Sequence, residues 1–112
     1  MKNKKEEKIE KDWTIGYQDA KHKAEIEGTY KSDSKLEEKW EDFERDITTD
    51  PYHHTKYRRI VKLKDTKTYP PGAYRYRKDP LRVVYFPEGK TKIIYPLEVG
   101  SYKDMAYKKR SK

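Results

Sequence analysis

One stretch of apolar residues in the first half of the chain recurs with the spacing of an α-helix. The residues lie at successive intervals of four, three and four: Leu36, Trp40, Phe43 and Ile47. They share one stripe, and the opposite side is almost entirely charged. Ser34 followed three residues later by Glu37 has the form of a capping box with Ser34 as N-cap, so we predict that the helix begins there. It should end near 47–49, because Asp50 precedes Pro51 and is disfavoured in the α region.

Two shorter elements precede this helix. Residues 13–17 alternate apolar and polar side chains, which is typical of a short strand. Residues 18–27 predict a weakly amphipathic helix, and Gly28 directly after them is expected to close it as a C′ residue. Residues 29–33 would then form a polar connection to the second helix.

From residue 56 onward the period changes to the two-residue alternation of strands. The segments that show it are 57–64, 73–77, 81–86 and 91–97. We predict that the middle two form a hairpin, and that the first is a strand or an extended lead-in. Gly89 is expected to supply a positive φ in the turn before the last strand. Pro96 implies that the last strand lies at a sheet edge or carries a bulge, and Gly100 should end it.

The order strand, helix, helix and then three or four antiparallel strands indicates an α+β fold. Two helices over one face of a twisted antiparallel sheet leave the other face, or a groove in it, open to solvent. A chain of 112 residues fits a single domain, which we assign to residues 13–112. Residues 1–12 form a charged N-terminal extension with a single aliphatic residue after Met1.

Charge divides the chain into two unlike halves. Residues 1–50 hold 11 Lys/Arg and 15 Asp/Glu, a net charge of −4, whereas residues 51–112 hold 17 and 5, a net charge of +12. Nine of the eleven tyrosines also lie in the second half. Cations bind phosphates and aromatic rings stack on bases, so this composition favours a nucleic-acid surface. The alternative is a charge-rich surface that serves only solubility.

Several classes of function find no support in the sequence. There is no cysteine, so disulfides and thiolate-bound metals are excluded. The N-terminus carries no apolar segment of the signal-peptide type, and we expect a soluble intracellular protein. His53 and His54 are adjacent and would point apart on a strand, with His22 as the third imidazole, so no metal site is expected. Glycine-rich phosphate loops, HExxH motifs and nucleophile elbows are absent as well.

The predicted hairpin carries arginines where a buried strand would have apolar residues. Tyr74 and Tyr76 lie on one side of its first strand, and Arg75 and Arg77 lie on the other. Whether Arg82 of the second strand joins the two arginines depends on the register around the turn. We expect this surface to hold phosphates and to stack bases. The alternative is structural, with each arginine stacked on a cross-strand tyrosine.

Several short motifs follow one another in a distinctive order. They are Asp50-Pro51, Lys62-Leu63-Lys64, Tyr74-Arg75-Tyr76-Arg77, Leu81-Arg82-Val83-Val84-Tyr85, Val99-Gly100 and a late Tyr107. In this order and spacing they resemble the RelE/ParE superfamily of type II toxin–antitoxin toxins, over residues 13–108. The resemblance implies a RelE-like β-α-α-β-β-β(-β) fold, in which two helices pack on one face of a twisted antiparallel sheet and a basic groove lies on the other.

The resemblance also implies an activity. RelE-like toxins are endoribonucleases that cleave mRNA in the ribosomal A site, and the ParE branch poisons gyrase. Either toxin would be neutralised by a small acidic antitoxin, so the implied partners are the cognate antitoxin, mRNA and the 30S ribosomal A site. The implied location is the cytoplasm, and neither a cofactor nor a membrane is involved. A third hypothesis, a non-catalytic RNA-binding or ribosome-binding module, rests on the charge pattern.

Roles follow from the resemblance for individual residues. Arg82 stands at the position of the hairpin arginine that contacts the scissile phosphate, and Arg75 stands at a basic position that faces the mRNA. Lys62 and Lys64 belong to the preceding basic segment and are expected to bind RNA. Tyr107 corresponds to a late tyrosine that stacks on a base or assists proton transfer, or else packs the tail onto the sheet.

One position departs from the family pattern. Active nucleases commonly place Arg or His two residues after the glycine near the end of the last strand, and here that residue is Tyr102. Either Tyr102 or Lys103 substitutes for it, or the nuclease function is weakened.

In cleavage a 2′-OH attacks the adjacent phosphorus and the 5′-oxygen leaves. The reaction needs no metal where arginines and lysines supply the electrostatic field. Arg77 and Lys103 are expected to bind the RNA.

Overall fold

The structure consists, in the described residues, of two helices and five strands. The computed structural model describes residues 13–52, 59–64 and 67–101. Its elements, in chain order, are β1 (Thr14–Ile15), α1 (Ala20–Lys31), α2 (Ser34–Thr49), β2 (Ile60–Lys62), β3 (Tyr74–Lys78), β4 (Leu81–Glu88) and β5 (Ile93–Ser101). The predicted α+β order is confirmed. No helix in these ranges is long and apolar enough to span a membrane.

Helix α2 ends where the sequence predicts, but its cap lies one residue earlier. The N-cap is Asp33, whose carboxylate accepts the Lys35 N–H at 2.9 Å, so Ser34 is the first helical residue and not the cap. A carboxylate at the N-terminus also complements the helix dipole, which favours it over a hydroxyl. The helix ends at Thr49, and Asp50 before the proline is extended.

The prediction that Gly28 closes the first helix is wrong. Helix α1 runs through Gly28 to Lys31. A glycine inside a helix costs about 1 kcal/mol relative to alanine, and packing beyond the glycine offsets this cost. Tyr30 is 7% exposed and stacks on Trp40 of α2 with ring centroids 4.1 Å apart. The burial of that ring explains why the helix continues for one more turn.

The five strands form one sheet in the order β1-β5-β4-β3-β2. All neighbours are antiparallel except β1, which pairs parallel with β5, so the sheet is mixed. Both helices pack on one face, over a core that contains Phe43, Tyr76 and Tyr85. The other face carries a small apolar cluster around Val84, with no helix residue in it. The predicted arrangement of two helices on one face is therefore confirmed.

Strand β5 differs from its prediction in length and position. It continues through Gly100 to Ser101, and it lies between β1 and β4 rather than at an edge. The alternative that Pro96 implies a bulge is confirmed, because the register with β4 shifts beside it. The turn before β5 does not use Gly89 for a positive φ. Lys92 takes that conformation instead, with φ of 61°.

Candidate nucleic-acid interface on the helix-free face

The hairpin register settles whether the three arginines share a face. Arg77 lies directly opposite Arg82, and Arg75 lies opposite Val84. Because alternate residues of a strand face the same way, Arg75, Arg77 and Arg82 all project from the side of the sheet opposite α1 and α2. No described residue on this side is helical, and we call it the helix-free face. The structure therefore brings together three of the residues that the sequence nominated.

A fourth arginine joins them from the edge strand. Arg59 precedes β2, and its carbonyl accepts the backbone N–H of Arg77 at 2.8 Å. We call Arg59, Arg75, Arg77 and Arg82 the arginine face. Sequence reasoning missed Arg59, although its alternation with Val61 was visible. What the sequence did not reveal was that β2 pairs with β3, and this pairing places Arg59 beside Arg77.

Arg82 is the most deeply placed member of the arginine face. The residue is 7% exposed. Its Nη1–H donates to Asp79 Oδ1 at 2.8 Å and to the Leu81 carbonyl at 3.0 Å. The hydrogen bond from Arg82, helped by the positive charge of Arg77, lowers the pKa of Asp79. At neutral pH a carboxylate therefore already lies against this guanidinium, and 78% of the Asp79 side chain is exposed.

A polar cleft of about 190 Å³ opens at this end of the hairpin. It is lined by Arg59, Arg77, Lys78 and Asp79. The Lys78 ammonium is bound to Asp42 of α2 at 2.9 Å, which anchors the hairpin end to the helix layer. The guanidinium groups of Arg59 and Arg77 belong to the same cleft, and such groups suit the geometry of phosphate oxygens. We call this the arginine cleft.

Lys62 and Lys64 are not part of the arginine face. Lys62 is exposed, but it follows Ile60 by two residues, and Ile60 packs in the core beneath the helices. Lys62 therefore points to the opposite side of the sheet from Arg75. Lys64 is exposed beyond the end of β2. The other three nominated residues, Tyr102, Lys103 and Tyr107, lie outside the residues that the structure describes.

The expectation that the hairpin tyrosines stack on bases is wrong for the two that are fully buried. Tyr76 and Tyr85 are 0% exposed and pack against Phe43 of α2. The Tyr76 hydroxyl donates to Asp46 at 2.7 Å, and the Tyr85 hydroxyl donates to the Pro51 carbonyl at 2.6 Å. Burial raises the pKa of both phenols. These rings build the core and are not accessible to RNA.

His22, the histidine within the described ranges, is not part of a metal cluster. His22 contacts the Pro96 carbonyl through Nε2 at 2.8 Å, which ties α1 to β5. Within residues 13–52, 59–64 and 67–101, no three His, Asp or Glu side chains lie close enough together to hold a metal ion. His53 and His54 are outside these ranges.

Comparison with known proteins identifies the fold. No protein-family model and no curated protein matches the sequence. Among solved structures, the chain is similar to a chain of the RelBE2 toxin–antitoxin complex from Mycobacterium tuberculosis, with a TM-score of 0.55 and 13% sequence identity. The match covers 80% of this chain and 96% of the other. The chain therefore has a RelE-like fold, as the sequence motifs predict.

Proposed function

We propose that this protein is the toxin of a type II toxin–antitoxin pair, an endoribonuclease that cleaves ribosome-bound mRNA by metal-independent attack of a 2′-OH. The observation that carries the proposal is the convergence of Arg75, Arg77 and Arg82 on the helix-free face of a RelE-like fold. Such a surface can hold a chain of phosphates without a metal, because guanidinium groups stay charged and bind two oxygens at once.

The arginines have different parts in this proposal. Arg82 is held in one orientation by its bonds to Asp79 and to the Leu81 carbonyl, so its charge is fixed close to the scissile phosphate. Arg77 is exposed and Arg75 is half-buried, so both can contact phosphates directly. The positive field of these groups stabilises the extra charge on the pentacoordinate phosphorus.

The proton transfers are assigned to groups on the C-terminal tail. The 2′-OH must lose a proton and the leaving 5′-oxygen must gain one. Tyr107 or Tyr102 would carry these protons, with Lys103 adding charge beside them. The hairpin phenols Tyr76 and Tyr85 are excluded from this task because both are buried and hydrogen-bonded in the core.

A protein partner is part of the same proposal. The fold neighbour was solved as a toxin–antitoxin complex. The second half of this chain has a net charge of +12, which an acidic antitoxin would neutralise and which would also draw the protein to ribosomal RNA. The toxin would then act in the cytoplasm, at the 30S A site, when the antitoxin is absent.

Induced expression followed by mapping of mRNA 5′ ends tests this function. The proposal predicts growth arrest together with cuts at fixed positions within codons. Arg82→Ala should abolish the cuts. Because Arg82 is buried, Arg82→Lys and a thermal melt of each variant distinguish loss of chemistry from loss of folding. Cuts that persist unchanged in a folded Arg82 variant would remove the assignment of that residue.

A gyrase-directed toxin is the second candidate, and one observation favours it. Tyr102 stands where RelE-like nucleases commonly have Arg or His. Growth arrest with intact mRNA and an induced DNA-damage response would point to gyrase. Harmless expression combined with salt-sensitive RNA binding would instead indicate a binding module without catalysis.

A further inference from the structure

Glu98 adds a carboxylate to the helix-free face, among the arginines. It lies on β5 directly opposite Val84, and its Oε1 accepts the hydrogen of the Tyr69 hydroxyl. Val84 and Tyr69 belong to the small apolar cluster on this face. The side chain of Glu98 therefore projects from the same side of the sheet as Arg82.

The register between β4 and β5 places Glu98 beside Arg82. Gly100 lies directly opposite Arg82, so β5 presents no side chain at that position. Glu98 stands two residues earlier on the same side of β5, which makes it a diagonal neighbour of Arg82. Diagonal neighbours on adjacent strands have Cα atoms about 7–8 Å apart. A sugar of the RNA can therefore lie over Gly100, between the phosphate at Arg82 and the Glu98 carboxylate.

Tyr69 holds the Glu98 carboxylate in a defined position. Tyr69 is 5% exposed, so its ring cannot turn away without leaving the apolar cluster. Glu98 is only half-buried, and a ligand on this face can reach it. A carboxylate has about four acceptor sites, so one that already accepts hydrogen bonds can still take a proton. Glu98 is thus oriented before a substrate arrives.

Two other acidic residues of the hairpin are less suited to accept a proton. Asp79 is bonded to Arg82, which lowers the pKa of Asp79 and makes it a weaker base. Glu88 lies at the far end of β4, about 20 Å from Arg82 along the strand, where its carboxylate accepts the Thr91 hydroxyl. Of these three acids, Glu98 combines a place beside Arg82 with a hydrogen bond from a tyrosine.

We propose that Glu98 is the general base of the cleavage reaction and takes the proton of the attacking 2′-OH. This inference rests on the proposed function and moves one of its two proton transfers from the C-terminal tail to β5. The proton passes to the Glu98 carboxylate as the bond from the 2′-oxygen to phosphorus forms. The bond from phosphorus to the 5′-oxygen breaks, and that oxygen takes a proton from a tail phenol, which gives a 2′,3′-cyclic phosphate and a 5′-OH. Water then removes the proton from Glu98 and reprotonates the phenol.

Single-turnover cleavage of ribosome-bound mRNA by Glu98→Gln tests the inference. Glutamine keeps the shape of the side chain and an acceptor for the Tyr69 hydroxyl, but it cannot serve as the base. We expect cleavage to be about 100-fold slower, without weaker binding of a 2′-O-methyl RNA, which lacks the attacking hydroxyl. The residual rate should rise about tenfold per pH unit between about pH 6 and 8, because hydroxide replaces the missing base. The wild-type rate should change less over this range.

Two further variants complete the comparison. Glu88→Gln removes the same charge from a hydrogen-bonded glutamate on the neighbouring strand, and its cleavage should stay within about twofold of the wild type. Tyr69→Phe keeps the ring but releases the Glu98 carboxylate. Its cleavage should be about tenfold slower, with the pH dependence of the wild type, because the base is present but less well placed.

Cleavage by Glu98→Gln at or above the wild-type rate would overturn the inference and leave Glu98 as a counter-charge for the arginines. A slower rate with an unchanged pH dependence would overturn it as well, because Glu98 would then only position other groups. If a thermal melt shows that Glu98→Gln does not fold, Tyr69→Phe decides, and a wild-type rate in that variant overturns the inference. Wild-type protein that arrests growth but leaves mRNA intact would instead refute the proposed function itself.

Discussion

Asp79 occupies the position beside Arg82 at which a phosphate would be expected to bind. Its carboxylate accepts the Arg82 Nη1–H at 2.8 Å and lies in the arginine cleft. Because Arg82 lowers the pKa of Asp79, the carboxylate is ionised at neutral pH. It therefore repels any phosphate that approaches the same guanidinium. Asp79→Asn keeps the shape and the hydrogen-bond acceptor but removes the charge, so we predict that it tightens RNA binding.

The size of the gain follows from the exposure of Asp79. Two unit charges about 4 Å apart interact with about 1 kcal/mol in water and about 4 kcal/mol at an effective dielectric constant of about 20. Because 78% of the Asp79 side chain is exposed, the repulsion between its carboxylate and a bound phosphate should be close to the lower of these energies. A change of about 1 kcal/mol corresponds to about fivefold tighter binding. The gain should disappear at about 1 M salt, where the screening length falls to about 3 Å.

Fluorescence anisotropy with a short fluorescent 2′-O-methyl RNA, which has no free 2′-OH and cannot be cleaved, measures this effect. Glu41→Gln serves as the matched control. Glu41 is exposed on α2, so its substitution changes the net charge by the same amount away from the arginine cleft. An equal gain in Glu41→Gln would show that only net charge matters. Weaker binding in Asp79→Asn would show that Asp79 positions Arg82 more than it competes with RNA. Either result would refute the reasoning.

Three further predictions concern the framework of the site. Gly28→Ala should raise the free energy of unfolding by about 0.5–1 kcal/mol, because Gly28 lies inside α1 with no atom near its missing β-carbon; a lower urea midpoint would contradict this. Tyr85→Phe should lower the free energy of unfolding by about 1–3 kcal/mol, since the Pro51 carbonyl loses its donor. Unchanged stability in this variant would contradict the contribution of that hydrogen bond. Lys78 lowers the pKa of Asp42 below its ordinary 3.8, so the pair stabilises the fold above that pH. Asp42→Asn should therefore cost about 1 kcal/mol in a denaturant titration at pH 7 and progressively less as the pH falls below 3.8. A cost that does not change with pH would exclude the ion pair as the cause.

The sequence was most informative where one period dominates. The apolar stripe of α2 and the charged residues opposite it are consistent only with an amphipathic helix. The end of this helix before Pro51 follows from the steric restriction on the residue that precedes a proline. Helix α1 shows the opposite case. Its weak amphipathicity made Gly28 the strongest local signal, but the stacking of Tyr30 on Trp40 decides where the helix ends. Tertiary packing of this kind cannot be read from neighbouring residues alone.

The site was predictable in part for a related reason. Alternation alone placed Arg75 and Arg77 on one side, but the partner of each residue across the turn depends on the register. The tyrosines of the hairpin were assigned to RNA because of the composition. Tyr76 and Tyr85 instead lie on the side of the sheet that the helices cover, so they are part of the core. The direction of Tyr95 was not predicted, because the bulge in β5 determines that this residue faces away from the core.

Cleavage of ribosome-bound mRNA by matched single variants tests the central claim most directly. Arg77 and Lys62 are both exposed cations on neighbouring strands, but they project from opposite faces of the sheet. The account predicts that Arg77→Ala cleaves at least about 100-fold more slowly than the wild type, while Lys62→Ala stays within about twofold of it. Full activity in Arg77→Ala, or an equal loss in Lys62→Ala, would contradict the assignment of the helix-free face as the site of cleavage.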